Sequence, residues 1–159
     1  MIRITRLADY AIVVLSHFAS DRTRPVRTAR LLASETHVPL PTVSKVLKAL
    51  ARRGIVASLR GVHGGYTLTK APEAISVAEV IDALEGPIAM TECQTGPAGL
   101  CVLEPTCPAR GNWERINIAV RKALEGIPLT QMSPFPFHHR LPPVFAKKPG
   151  AAPAPAPGA

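Results

Sequence analysis

The 159-residue chain predicts a mainly α-helical fold that carries one two-stranded β-hairpin and closes with a long C-terminal helix. Apolar residues recur at helical spacing in several successive stretches, two short β-prone runs flank a glycine-rich turn, and a capping-box signature opens a further helix. A chain of this length can bury one core, so one domain with appendages is expected.

From Thr5 to about Ala19, the residues Leu7, Ala8, Ala11, Val14, Leu15 and Phe18 fall on one helical face, with Thr5 as the cap. Residues 20–27 read as a polar loop containing Pro25. A second short helix over residues 28–36 turns Ala29, Leu32 and Ala33 inward. The clearest pattern is HVPLPTVSKVLKALARRGIV. Pro41 suits a first helical turn, Val43, Val46, Leu47, Leu50 and Ala51 form a core stripe, and Gly54 ends the helix in a left-handed cap. Two helices joined by a turn of about four residues make a helix-turn-helix. Its exposed face carries Thr42, Ser44, Lys45, Lys48 and Arg52, which can reach phosphates or base edges. Lys48 and Arg52 are read as phosphate contacts, because long cationic side chains most often position rather than specify.

VASLR and YTLTK, separated by GVHGG, read as a two-stranded wing with Arg60 and His63 at its tip. Arg60 suits a narrow minor groove or a phosphate, whereas His63 has no second metal donor nearby and reads as solvated. Ser76 and Glu79 form the capping box of a helix with Val77, Val80, Ile81 and Leu84 inward and Gly86 at its end. The fold class is therefore mainly α, a winged helix-turn-helix over residues 1–86.

Residues 87–107 form a glycine- and proline-rich loop holding all three cysteines, Cys93, Cys101 and Cys107. Pro108 is expected to begin the long helix, which ends near Gly126; residues 108–132 form this dimerisation helix and the segment after it. Within it Trp113, Ile116, Val120 and Ala123 recur at intervals close to a heptad seam. Such a stripe packs either on a second copy or on its own chain. Residues 133–159 hold none of the acidic residues and, with Pro128, nine of the seventeen prolines, so they read as a disordered tail in which adjacent His138 and His139 are solvated.

Charge is unevenly placed. Residues 1–70 hold 12 Lys/Arg against 3 Asp/Glu, residues 71–126 hold 4 against 8, and residues 127–159 hold 3 against 0, which together give the net +8. A basic first half beside an acidic middle fits a polyanion on one face, with double-stranded DNA as the partner. The N-terminal apolar stretch carries Asp9 and His17, lacks a small-residue cleavage site and is too short to span a bilayer. A cytoplasmic chain with no membrane partner is expected, and there thiols stay reduced.

Three thiols separated by seven and five residues can wrap a metal centre, and thiolates suit iron–sulfur clusters or zinc. The missing C-x-x-C knuckles favour a cluster over zinc, while redox-reactive free thiols stay open. Neither a phosphate-binding glycine loop nor a nucleophile elbow is visible, so no enzymatic activity and no small-molecule substrate are expected.

The segments LADYAIVVLSHFA, VPLPTVSKVLKALARRGIV, LRGVHGGYTL and ISVAEVIDALEG, the three cysteines and NWERINIAVRKAL together resemble the Rrf2 family of winged-helix regulators over about residues 1–132. The subgroup that regulates SUF iron–sulfur cluster assembly is the most similar. The resemblance implies a homodimeric regulator, a repressor by expectation, whose long helices cross at the interface. It also implies that Cys93, Cys101 and Cys107 hold a two-iron or four-iron cluster whose gain or loss changes DNA binding. One branch places a histidine three residues after the third cysteine, where this chain has Arg110. In the nitric-oxide-sensing branch an aspartate near the start of helix one, given by the partner, completes the cluster, and Asp9 occupies that position. The alternatives are a nitric-oxide sensor of the same family and a zinc- or thiol-based scaffold that binds partners through its tail.

Overall fold

Thr5 accepts a hydrogen bond from the Ala8 amide at 3.3 Å and opens α1 (Arg6–Ser20), as its position before the apolar stripe predicts. Thr28 caps α2 (Ala29–Thr36) in the same way, and Pro39 leads into α3 (Leu40–Arg52). His37, at the end of α2, takes the left-handed conformation (φ 57°) that makes the tight bend between the two helices. The computed structural model describes residues 3–21, 23–94 and 101–132; the Pro-rich tail expected over residues 133–159, with His138 and His139, lies outside them.

The wing is β1 (Val56–Leu59) paired antiparallel with β2 (Gly65–Leu68), in the register Val56 to Leu68 and Leu59 to Gly65. The second strand begins one residue before the YTLTK run. A β-carbon at Gly65 would lie 2.7 Å from the Arg27 carbonyl oxygen, so only glycine lets the chain enter β2 there. Tyr66 exchanges both main-chain hydrogen bonds with Arg27 (2.8 and 2.9 Å), and the loop before α2 thus covers the free edge of the wing.

Ser76 caps α4 (Val77–Glu85) through the Glu79 amide, and Gly86 closes it at φ 89°. The last helix, α5, spans Arg110–Glu125. It starts two residues later than Pro108, because Pro108 and Ala109 form a turn in which the Arg110 amide reaches back to the Cys107 carbonyl at 3.4 Å.

The core gathers Leu15 from α1, Leu32 from α2, Val43, Val46, Leu47 and Leu50 from α3, Ile55 and Ile75 from the strand and helix approaches, and Val80 from α4. Leu129, beyond α5, is fully buried among them. The chain after α5 returns to the body and pairs with the segment preceding α4: the Val77 amide donates to Ile127 (2.9 Å) and the Leu129 amide to Ile75 (2.8 Å). Ser16 in turn donates its hydroxyl to the Met132 carbonyl at 3.0 Å, which fixes the 3₁₀ turn Leu129–Met132 on α1.

Candidate nucleic-acid interface and cysteine loop

On α3 the buried side is Val43, Val46, Leu47 and Leu50; Lys45, Lys48 and Arg52 stand exposed on the opposite side, with Thr42 and Ser44 half-buried at its edges. The helix contains no acidic residue, and among the described residues none of these three cations is ion-paired, so this face is strongly positive. At the wing, Arg60 and His63 are exposed on either side of Gly61 (φ 113°) and a Val62 that is 99% exposed. A β-carbon at Gly64 would come within 2.5 Å of the Leu59 carbonyl oxygen, so the tight wing turn also depends on glycine. The structure thus sets every predicted DNA-contact residue on α3 or at the wing tip, each within reach of solvent.

What ties the wing to α1 and α2 was not visible in the sequence. Arg27, expected in a polar loop, is 2% exposed. Its guanidinium pairs with Glu35 of α2 at 2.9 Å and with Asp21 at 3.2 Å, donates to the Asp21 carbonyl, and lies 5.8 Å from the Phe18 ring centre. One side chain therefore ties α1 and α2 to the residue whose backbone carries the wing. Asp21 is held below the usual carboxylate range, first by hydrogen bonds from the Thr23 hydroxyl and amide and then by the nearby arginines. Beside this group, burial lowers the pKa of His17 from its ordinary 6.5, with Glu35 opposing and Arg27 adding to the shift.

Cys93, Cys101 and Cys107 are free of disulfides and half-buried, and Cys93 lies 3.2 Å from the Thr91 hydroxyl. Their donor chemistry fits a thiolate-ligated cluster or zinc. Among the described residues no three His, Cys, Asp or Glu side chains converge as a metal site, so the structure does not bring the three thiols together. Nor does it bring Asp9 to them: Asp9 is exposed in the first turn of α1. Arg110, at the position of the histidine seen in one branch, is ion-paired with Glu104 at 3.1 Å, and Glu104 is only 8% exposed.

Helix α5 has no buried residue along its 16 positions. Of the four seam residues, Trp113 (41% exposed), Ile116 (46%) and Ala123 lie open to solvent. Val120 is half-buried and, with Leu124, lines a cleft of about 280 Å³ against Ile81, Ile88 and Met90. Arg121 fastens the helix to α4 through Asp82 at 2.8 Å. Among the described residues no helix is long and apolar enough to cross a membrane.

Comparison with known proteins accords with this architecture. The Rrf2 family model, described as an iron-dependent transcriptional regulator, matches residues 4–134. The regulator NsrR of Bacillus licheniformis is 31% identical over 105 residues, covering 66% of this chain and 73% of that protein. CymR of Bacillus subtilis is 27% identical over 134 residues, covering 84% and 91%. Among solved structures, that of B. subtilis CymR, the global cysteine regulator, superposes with a TM-score of 0.67 at 26% identity over 86% of this chain and 100% of that one. IscR of T. potens shares the fold at a TM-score of 0.60 and 21% identity, over 82% and 85%. With a cationic face on α3, a wing tied to α1 and α2 through Arg27 and a family match over most of its length, the chain belongs to the Rrf2 family of DNA-binding transcriptional regulators, and the relatives it matches are regulators rather than enzymes.

Proposed function

We propose that the chain acts in the cytoplasm as a homodimeric repressor of iron–sulfur cluster assembly genes and senses through a two-iron or four-iron cluster held by Cys93, Cys101 and Cys107. The observation that carries this reading is the place of the thiols beside α5. The turn holding Cys93 packs against α5, and the Cys107 carbonyl accepts the amide of its first residue. A change in the thiol loop therefore acts first on the helix whose open face, Trp113, Ile116 and Ala123, suits a second copy. The fourth donor in this reading is Asp9 of the partner subunit, since Arg110 is held by Glu104.

In the dimer the two α3 helices enter successive major grooves of a pseudo-palindrome about one DNA turn apart. Thr42, Ser44 and Lys45 face base edges, Lys48 and Arg52 meet phosphates, and Arg60 takes the minor groove or the backbone. The cluster, when bound, supplies a redox- and iron-sensitive centre whose gain or loss shifts the population of α5 arrangements and so the spacing of the α3 pair.

Anaerobic purification followed by a visible spectrum and iron, sulfide and zinc analysis tests the sensor. The expected result is broad visible absorption with matching iron and sulfide, lost in Cys93→Ala, Cys101→Ala or Cys107→Ala together with a change in operator affinity. A colourless protein carrying zinc after reconstitution establishes the zinc- or thiol-based scaffold instead. Similarity to NsrR and the position of Asp9 favour a second reading, a nitric-oxide-sensing repressor. Release of the operator by nitric oxide, with no response to cell iron status, decides for it.

A further inference from the structure

Glu104 is the one acidic residue in the buried set of the described chain, and it sits midway between two of the three thiols. Its amide donates to the Cys101 carbonyl at 3.0 Å, its Oε1 lies 3.1 Å from Arg110 Nη2, and the Arg110 amide donates to the Cys107 carbonyl at 3.4 Å. These contacts link four residues in series: Cys101, Glu104, Arg110, Cys107. Three of them belong to the thiol loop. The fourth is the first residue of α5, one helical turn before Trp113.

A carboxylate at 8% exposure requires a cation or donors around it, and Arg110, half-exposed, supplies one without being desolvated itself. Replacing either partner by a neutral group removes the charged bond between the Cys101–Cys107 turn and the first residue of α5, and the short 3₁₀ turn there holds its shape weakly. We infer that the Glu104–Arg110 pair is the positioning link between the thiol loop and α5. It sets the spacing of Cys101 and Cys107 and hands any displacement of that turn to the first turn of the interface helix. The inference rests on the sensor reading above only for its biological meaning; the link itself is a property of the metal-free chain.

Its test therefore uses the reduced, metal-free, full-length protein. Pulse alkylation with iodoacetamide, mapped by mass spectrometry, is expected to show Cys101 and Cys107 reacting faster in Arg110→Met and in the near-isosteric Glu104→Gln. The increase is on the order of tenfold, as loss of one charge-assisted bond allows. Cys93 keeps its wild-type rate, and Arg110→Lys, which keeps the charge, restores most of the protection. Complete alkylation of the loop is expected to move the emission of Trp113, the chain's single tryptophan, in the wild type and much less in Arg110→Met. Unchanged rates at Cys101 and Cys107, an equal rise at all three thiols, or the same Trp113 shift in both proteins each overturn the link. A wild type that forms no chromophore removes the cluster and leaves the alkylation pattern to decide the link by itself.

Discussion

Replacing Arg27 by methionine removes a buried guanidinium while keeping an apolar stem of similar length. Arg27 is 2% exposed, but its partners are not: the Glu35 side chain is 28% exposed and that of Asp21 39%. Removing one member of a fully dry pair costs about 3–5 kcal/mol. Because both carboxylates here keep water, the orphaned-charge part is reduced, and the lost bonds to the carbonyls of Asp21 and Arg24 are solvated in part; the expected loss is about 2–3 kcal/mol. For a domain of this size that lowers Tm by roughly 4–10 °C. The assay is urea unfolding at one fixed protein concentration, since any self-association would also shift the midpoint. Adding Glu35→Gln to Arg27→Met should recover part of the loss, because it removes the charge left behind. A loss below about 0.5 kcal/mol, or a double variant no more stable than the single one, refutes the idea that this group holds the helix-turn-helix and wing together.

Three further outcomes are expected. Leu129→Ala, which empties a fully buried site beyond α5, should cost about 2–5 kcal/mol in the same urea assay, as for a residue in the middle of the core. Gly65→Ala pushes a β-carbon against the Arg27 carbonyl and should separate the wing from the loop before α2; hydrogen exchange at the Tyr66 and Arg27 amides should rise before global unfolding does. Above pH 6.5 His17 is neutral whether folded or unfolded and has no effect on stability. As pH falls below 6.5 the unfolded chain takes up the proton more readily, because burial lowers the folded value, so stability drops. His17→Gln should flatten the change in urea midpoint between about pH 7.5 and about pH 5.5.

The elements were legible in the sequence wherever one local signal determines them. Thr5 and Ser76 act as caps, and the stripe from Val43 to Leu50 is buried as its spacing predicts. The exposed cations of α3 follow from the same periodicity. Arg27 escaped because nothing local distinguishes it from Arg22 or Arg24; its burial depends on Glu35, Phe18 and Tyr66 meeting around it, which is a tertiary fact. The return of Leu129 to the core was hidden for the same reason, by the proline-rich composition that begins at Pro128. Within the thiol loop, an acid three residues from each of two cysteines and an arginine three residues after the last was a signal available for the Glu104–Arg110 pair. In the sequence, Arg110 stands out only as the absence of a histidine.

The return of the chain at Ile127 to the segment before α4 has a consequence for how such a molecule can change. Gly86 and Ile127 mark the two ends of a stretch that leaves the body after α4 and rejoins it at the approach to that same helix. The two ends of residues 87–126 are thus both tied to α4, Gly86 at its C-terminus and Ile127 at its N-terminus. A change confined to the thiol loop is therefore expected to leave Leu129 in its slot and α3 in place, because Leu129 is held by Ile75 rather than by the loop.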